Sequence, residues 1–486
     1  MTQAAGIGGC QKYMLTALIV IFVIGYLAIA LEHPLKVDKT ASALLLGMVL
    51  WIVYALGADS IVPLIHGDEL KAYVGGTSLA NESLFHQSLA YVVNVQIVEN
   101  LGEITQTLLF LIGAMTIVEL VDVHGGFRII TENIKARNKK ALLWVLCGTT
   151  FVLSAVLDNL TTTIVMVMLL RKLVADNNDR GLYAGMIVIA ANTGGAWSPI
   201  GDVTTIMLWV KGNVTAPALI KFVAIPSIVA LVVPLLIISR QLKGRIAEVP
   251  QSAAAAAGNH SSPCNHREQL TMFTLGICGL IFVPIFKTIT HLPPFMGMLL
   301  VLGILWVFTE CFYNGKKMLD RAQEHRIPRV ISRIDMPSIL FFLGILMAVA
   351  VLQATGILGA LATWLDTNVH SVYIINILLG VLSSIVDNVP LVAAAMGMYP
   401  IADVTATGYA ANFVVDGCFW EFLSYCAGVG GSILIIGSAA GVIAMGLEKI
   451  NFGWYLKKIS LPALLGYLAG AAVYILEVEF LKPLLG

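Results

Sequence analysis

The sequence predicts an all-α polytopic membrane protein with two inverted repeats, each carrying a re-entrant hairpin and a discontinuous helix. Three observations predict it. Charged residues make up 12% of the 486 residues and hydrophobic ones 58%, against roughly a quarter charged in a soluble domain. Apolar runs long enough to cross about 30 Å of hydrocarbon recur along the chain. And an Asp-Asn pair lies inside apolar sequence twice, at Asp158-Asn159 and Asp387-Asn388, 229 residues apart. Carboxylates inside transmembrane segments are costly and usually functional. A costly pair used twice predicts a duplicated transporter with its site at the repeat interface.

Taken in order, Tyr13–Leu31 is a first span. Its Ala28-Ile29-Ala30 end mimics a signal-peptide cleavage site, but cleavage there would flip the following spans, so it reads as a retained span. Ser42–Gly57 is the second span. Asp59–Gln106 is more polar, and within it Leu84–Glu103 mixes apolar residues with His86, Asn94, Glu99 and Glu103. That pattern predicts an amphipathic helix in the interface plane, with an extra span as the competing reading. Residues 1–106 form an N-terminal scaffold on this reading.

The first repeat is expected over 107–239. It opens with the span Thr107–Val123 and a basic loop holding Arg128, Lys135, Arg137, Lys139 and Lys140. Two short apolar arms, Ala141–Leu157 and Leu160–Leu170, flank Asp158-Asn159. Ala184–Val210 is interrupted by Asn192-Thr193-Gly194-Gly195-Ala196-Trp197-Ser198-Pro199-Ile200-Gly201-Asp202; glycines, a proline and a carboxylate at that depth predict a broken helix. Ala218–Ser239 closes the repeat. A polar linker over 240–269 separates the halves. Residues 270–338 hold two spans, Leu270–Phe286 and Pro294–Phe312, and a loop with Lys316, Lys317, Arg321, Arg326, Arg329 and Arg333. The second repeat, 339–486, has a span at Ile339–Thr355, arms around Asp387-Asn388, a broken span at Ala411–Leu447 and a final span at Ser460–Leu476.

The duplication shows residue by residue. Leu109-Phe110-Leu111-Ile112-Gly113 parallels Leu340-Phe341-Phe342-Leu343-Gly344, Gly125 falls opposite Gly356, and Gly194-Gly195…Gly201 opposite Gly430-Gly431…Gly437. Short loops rich in Lys and Arg face the cytoplasm, so both basic loops are expected there. Thr107–Val123 and Ile339–Thr355 then run in opposite directions. The N-terminus is expected outside.

The breaks supply chemistry. A helix broken in the membrane leaves free carbonyls at one half, which suit a small cation, and free amides at the other. Around these breaks stand Asp158, Asn159, Thr161, Asn192, Asp202, Thr204 and Thr205, hard oxygen donors of the kind that replaces the water shell of Na⁺ or Li⁺. Two carboxylates in one desolvated site cannot both ionise cheaply, so a proton or a bound cation compensates. Competition between the two for one carboxylate is the logic of exchange. A lone intramembrane Asn or Thr more often serves as glue between helices, so Asp158, Asp202 and Asp387 carry the reading; Asp416 and Glu421 are secondary candidates. No cofactor is expected. Net charge is zero, which points to no nucleic-acid partner. The seven cysteines show no CxxC spacing and read as small core hydrophobes.

Three blocks resemble the NhaD-type Na⁺/H⁺ antiporters of the ion transporter superfamily. They are Leu157-Asp158-Asn159-Leu160-Thr161-Thr162-Thr163, the long run Ala191–Thr205, and Val386-Asp387-Asn388-Val389-Pro390-Leu391-Val392. The resemblance implies Na⁺ or Li⁺ extrusion driven by proton entry, in a bacterial inner membrane or a plastid. It implies a scaffold and a transport domain in each subunit of a homodimer surrounded by lipid. The family's polar positions carry over to Asp158, Asn159, Asn192, Asp202, Thr204, Thr205, Ser383, Asp387 and Asn388, and those of the later segment to Ser432 and Ser438. Na⁺ would bind at Asp158, Asn159, Asp202 and Thr204.

The rivals are a sodium-coupled carboxylate symporter and an arsenite-type anion permease of the same superfamily. The symporters resemble this plan but keep a neutral Ser-Asn-Thr tip, whereas Asp158 and Asp387 here would repel a carboxylate. An intramembrane aspartyl protease would need Tyr-Asp and Gly-x-Gly-Asp motifs; the chain has Pro199-Ile200-Gly201-Asp202 instead. A secondary transporter, not an enzyme, is the expectation. Its topology is checked by single cysteines placed in 128–140 and 316–333: on intact cells a membrane-impermeant maleimide should leave both unlabelled, and strong labelling of either loop would reverse the assigned orientation.

Overall fold

In hydrocarbon a helix end has no water to bond its free amides, so each must find a partner in the protein. This chain supplies those partners from side chains. The computed structural model describes residues 9–30, 32–127, 138–174, 176–242, 244–245, 265–314, 327–385 and 387–481. Most of the two basic loops and of the 240–269 linker lies outside them. In chain order the main helices are α1 (Gly9–Ala30), α2 (Lys39–Leu56), α3 (Ile97–Val123), α4 (Lys139–Ser154), α5 (Asn159–Leu173), α6 (Asn177–Gly195), α7 (Val203–Val210) and α8 (Ala216–Ser239). They continue with α9 (His266–Thr290), α10 (Pro294–Asn314), α11 (Met336–Ala354), α12 (Ile357–Asn368), α13 (Val372–Ser383), α14 (Asn388–Met398), α15 (Cys418–Gly430), α16 (Ala439–Glu448) and α17 (Ser460–Leu476).

Among the described residues, eight helical stretches are long and apolar enough to cross a membrane. They carry large apolar side chains outward, for example Leu45, Ile52 and Leu56 on α2 and Ile304 and Val307 on α10, as lipid contact requires. Helices α5, α13, α14 and α16 are apolar but too short to span. These are the arms beside the predicted breaks.

One expectation is corrected. Leu84–Glu103 is not a separate interfacial helix: Leu84–Tyr91 passes through a π-helical stretch, Val92–Gln96, into α3. The polar residues at 94–103 mimic an amphipathic boundary, but the backbone absorbs the mismatch with one wider turn instead of ending. The broken span expected from Ala411 also starts later, at Cys418, after a 3₁₀ turn at Gly408–Phe413.

The chain divides into two units. The first comprises residues 1–108, 335–370 and 393–400. In it α2 lies against α11 at backbone distance, because Gly47 and Gly344 face each other and a Cβ on either would strike the other helix's backbone. Trp51 Nε1 donates to Met347 O (3.0 Å) across the same contact. The second unit comprises residues 109–334, 371–392 and 401–486. In it α4 packs on α6, α13 on α15, and α8 on α17. A buried ion pair ties its two halves: the Glu448 carboxylate, 2% exposed, accepts from Arg171 Nε and Arg180 Nε, both at 2.7 Å.

Matched positions of the two halves meet matched demands. Ser154 Oγ donates to Ala191 O (2.6 Å), and Ser383 Oγ donates to Ala427 O (2.9 Å). A Cβ on Gly194 would collide with the Phe151 carbonyl, and one on Gly430 with the Gly380 carbonyl. Gly125 and Gly356 both take positive φ just past a helix end, +73° and +70°, a conformation glycine adopts without strain. Gly194 and Gly430 therefore have a packing cause, and Gly125 and Gly356 a conformational one. Gly430→Ala should force α15 away from α13 and cost about 1–3 kcal/mol, the range for overpacking a filled core. A lowered melting midpoint of the detergent-purified protein checks this; an unchanged midpoint would show the contact to be slack.

Candidate functional site

Four helix breaks lie in the second unit, and each is capped by a side chain from the polar set. Asp158 Oδ1 accepts from Thr161 N (2.6 Å) and its Oδ2 from Thr161 Oγ1 (2.9 Å), opening α5. Asp202 Oδ1 accepts from Thr204 N (3.2 Å), opening α7. Asp387 Oδ1 accepts from Val389 N (3.3 Å), opening α14. Ser438 Oγ accepts from Gly441 N (3.2 Å), opening α16. A side-chain oxygen at this position satisfies one free amide of the first turn, and a carboxylate there also faces the positive helix end.

Asp202 differs from the other two carboxylates. It is 2% exposed, whereas Asp158 and Asp387 are half-buried. Its free oxygen, Oδ2, accepts from Asn159 Nδ2 (3.1 Å) and Asn388 Nδ2 (3.4 Å). Asn159 and Asn388 are the first residues of α5 and α14, so each of these two breaks sends one amide to the same carboxylate. The network continues outward: Asn159 Nδ2 also donates to Asn192 Oδ1 (3.1 Å), and Asn192 Nδ2 donates to Ser432 Oγ (3.0 Å) and Ser438 Oγ (2.9 Å). Asn159, Asn192, Asn388, Ser432 and Ser438 are all buried. The charges of Asp387 and Asp158 both act on Asp202.

Among the described residues, no Lys, Arg or His hydrogen-bonds or ion-pairs with Asp202. A buried charge without such a partner costs on the order of several kcal/mol. Thr204 Oγ1 is buried beside Asp202, outside strict hydrogen-bond geometry. That hydroxyl next to a buried carboxylate, with the Asn192 oxygen and two serine hydroxyls in the same network, is an oxygen set suited to a small hard cation. The same carboxylate can instead hold one proton.

The remaining predicted residues take local roles. Thr161 spends its amide and hydroxyl on Asp158. Thr205 Oγ1 donates to Asp202 O (2.7 Å), and Ser383 bonds the carbonyl of Ala427. The Asp416 carboxylate accepts from Thr215 N (2.6 Å) and Oγ1 (2.8 Å) at the start of α8. Two residues escaped the sequence reading. Ser154 holds the first hairpin to α6, and Ser424 Oγ donates to Ala196 O (2.8 Å) inside the first break. Ser154 was findable, since it stands 229 residues before Ser383. Ser424 gave no signal.

A protein family described as citrate transporter, CitMHS, matches residues 17–415. The chain belongs to the CitMHS family. Its relatives include sodium/proton antiporters. Sodium/proton antiporter 1 of Arabidopsis thaliana is 44% identical over 94% of this chain and 72% of its own length. Sodium/proton antiporter 2 of the same plant is 41% identical over 95% of this chain and 99% of its own length. The Na⁺/H⁺ antiporter NhaD of Vibrio cholerae is 30% identical over 95% of this chain and 91% of its own length. The chain is thus a multi-pass membrane transporter of the NhaD type, as its motif blocks led one to expect.

If this CitMHS member binds a cation at Asp202, the ion should stabilise the fold by mass action, about 2.7 kcal/mol at a hundred times its dissociation constant. NaCl should raise the melting midpoint of the purified protein above that in choline chloride of equal strength. Asp202→Asn should remove the difference; a Na⁺ effect that survives the substitution would place the cation elsewhere.

Proposed function

We propose that the protein exchanges Na⁺, or Li⁺, for H⁺ at Asp202. The observation that carries this is a buried carboxylate, reached by one amide from each Asp-Asn tip and, among the described residues, paired with no basic side chain. Such a group is neutral with a proton or neutralised by a metal ion, and one occupant excludes the other. Asn159, Asn192, Asn388, Thr204, Ser432 and Ser438 supply oxygens or hold the carboxylate in place. Asp158 and Asp387 sit at the tips and add negative potential that draws cations in. Thr161, Thr205 and Ser383 keep the tips and the break in register.

The relatives' names support this reading, and so does the charge at the tips. A citrate-like substrate would meet three carboxylates around one centre, a repulsion that disfavours it. The wider setting we propose is a bacterial inner or plastid membrane, a homodimer, an outside N-terminus and two halves inverted with respect to each other.

The test is dye-quench exchange in inverted vesicles carrying equal amounts of each variant. Asp202→Asn keeps shape and hydrogen bonding but removes the titrating charge, so exchange should vanish. Asp158→Asn should abolish it as well, and Asp158→Glu should retain weak exchange with altered ion affinity. Thr204→Ala should be milder, because a neutral donor is lost while the charge remains. In the wild type, a proton and Na⁺ competing for one carboxylate require the half-maximal Na⁺ concentration to fall as pH rises, by about tenfold per unit where the proton dominates. Near wild-type exchange by Asp202→Asn, or a Na⁺ requirement indifferent to pH, would overturn the proposal.

A further inference from the structure

A second buried carboxyl lies on the helix that leads to this site. Glu421 is in the first turn of α15 and is 0% exposed. Residues 421, 424 and 428 share one face of that helix by their spacing. Ser424 bonds the first break at Ala196, and a Cβ on Gly428 would lie 3.6 Å from Asp202 Oδ2. Glu421 is therefore two turns from Asp202 along one face, about 10 Å at the rise of an α-helix.

Its hydrogen bonding has room for a proton on the carboxyl. Tyr474 Oη on α17 lies 2.9 Å from Glu421 Oε2 and 3.1 Å from Cys418 O. A phenol has one hydrogen, and here it faces two acceptors. With a proton on Glu421 the conflict disappears: the carboxyl donates to Tyr474 Oη, and Tyr474 donates to the Cys418 carbonyl. The site thus has a place for one extra proton.

A route to the surface is also present. Tyr373 on α13 donates to the exposed Glu479 (3.0 Å), and the rings of Tyr373 and Tyr474 both pack against Phe422, with centroids 6.0 and 4.6 Å away. Glu477, one turn beyond Tyr474, is buried with Oε2 lacking a partner. Tyr474 on α17 is thus shared between Glu421 and the Cys418 carbonyl, both on α15, and Glu477 follows it one turn later.

We propose that Glu421 is a second proton-binding carboxyl of the transport cycle, loaded from the Glu479 end through Tyr474 and passing its proton towards Asp202. In the loading step Tyr474 Oη takes up a proton from the Tyr373 side as its own hydrogen moves to Glu421 Oε2. The tyrosine ends neutral and the carboxylate becomes a carboxylic acid. This rests on the exchange reading above and adds to it a group that handles the proton without touching the metal ion.

The experiment uses purified protein in proteoliposomes and two rates: Na⁺ uptake driven by a pH gradient, and tracer Na⁺/Na⁺ exchange at equal pH on both sides, which moves no net proton. Glu421→Gln should cut the first by roughly tenfold or more, as loss of a proton-transfer group does, and leave the second within about twofold. Glu421→Asp should recover part of the first rate. Tyr474→Phe keeps the carboxyl and breaks the route, so it should show the same split, and it decides the matter if Glu421→Gln does not fold. Equal loss of both rates in a folded variant would make Glu421 structural and overturn the proposal. Wild-type proton-coupled rates in Glu421→Gln or Tyr474→Phe would overturn it too. Absence of proton-coupled uptake in the wild type, with tracer exchange intact, would overturn the exchange reading itself.

Discussion

The second unit depends on how an interrupted helix satisfies its backbone where water is scarce. Each break frees amides that hydrocarbon cannot bond. Asp158, Asp202, Asp387 and Ser438 take one amide each. Capping by a carboxylate requires the charge to lie at the start of the inner half-helix, which is where a transported cation would be held. On the exchange reading proposed above, the structural and the transport demands fall on the same atoms, which offsets the cost of burying them.

A division of labour among the carboxylates follows from their second oxygen. Asp158 spends both oxygens on Thr161. Asp202 spends one on its cap and leaves the other to Asn159 and Asn388. Those two amides come from different hairpins, so the position of each tip registers at a single oxygen. A shift of either tip changes the donors around Asp202, a physical means of linking occupancy to conformation. The Glu448 pair with Arg171 and Arg180 joins the ends of α5 and α16 to the start of α6. The carboxylate is buried while both guanidiniums reach solvent, and the shared contact is expected to make these three helices move together.

The glycines of the breaks complete the arrangement. At Gly194 and Gly430 the preceding hairpin arm approaches so closely that a carbonyl occupies the space of a side chain. This closeness lets Ser154 and Ser383 reach across to Ala191 and Ala427. The hairpins are thereby anchored one turn before their tips, and Asn159 and Asn388 are aimed rather than left free.

The sequence by itself determined a great deal here. Low charge and long apolar runs required a membrane protein, because the chain lacks the polar surface to dissolve. The Asp-Asn pairs and the glycine spacing marked where the breaks fall but not their edges: the helix expected to break at Asn192 runs on to Gly195, and the arm expected to reach Leu157 ends at Ser154. The sequence also picked out the polar residues that meet around Asp202, since oxygen donors inside apolar sequence are conspicuous. What it could not do was rank that set. Asp158, Asp202 and Asp387 look alike in one dimension, and Asp158 seemed the natural centre because it sits at a tip. Only the tertiary structure, by bringing 159, 192, 388, 432 and 438 together, made Asp202 the shared acceptor. It likewise joined Leu84–Tyr91 to α3 through a π-helical stretch and set Tyr474 against Glu421. Each of these depends on which face of one helix meets which face of another, and that is fixed by packing between segments tens to hundreds of residues apart, not by the local pattern of any one of them.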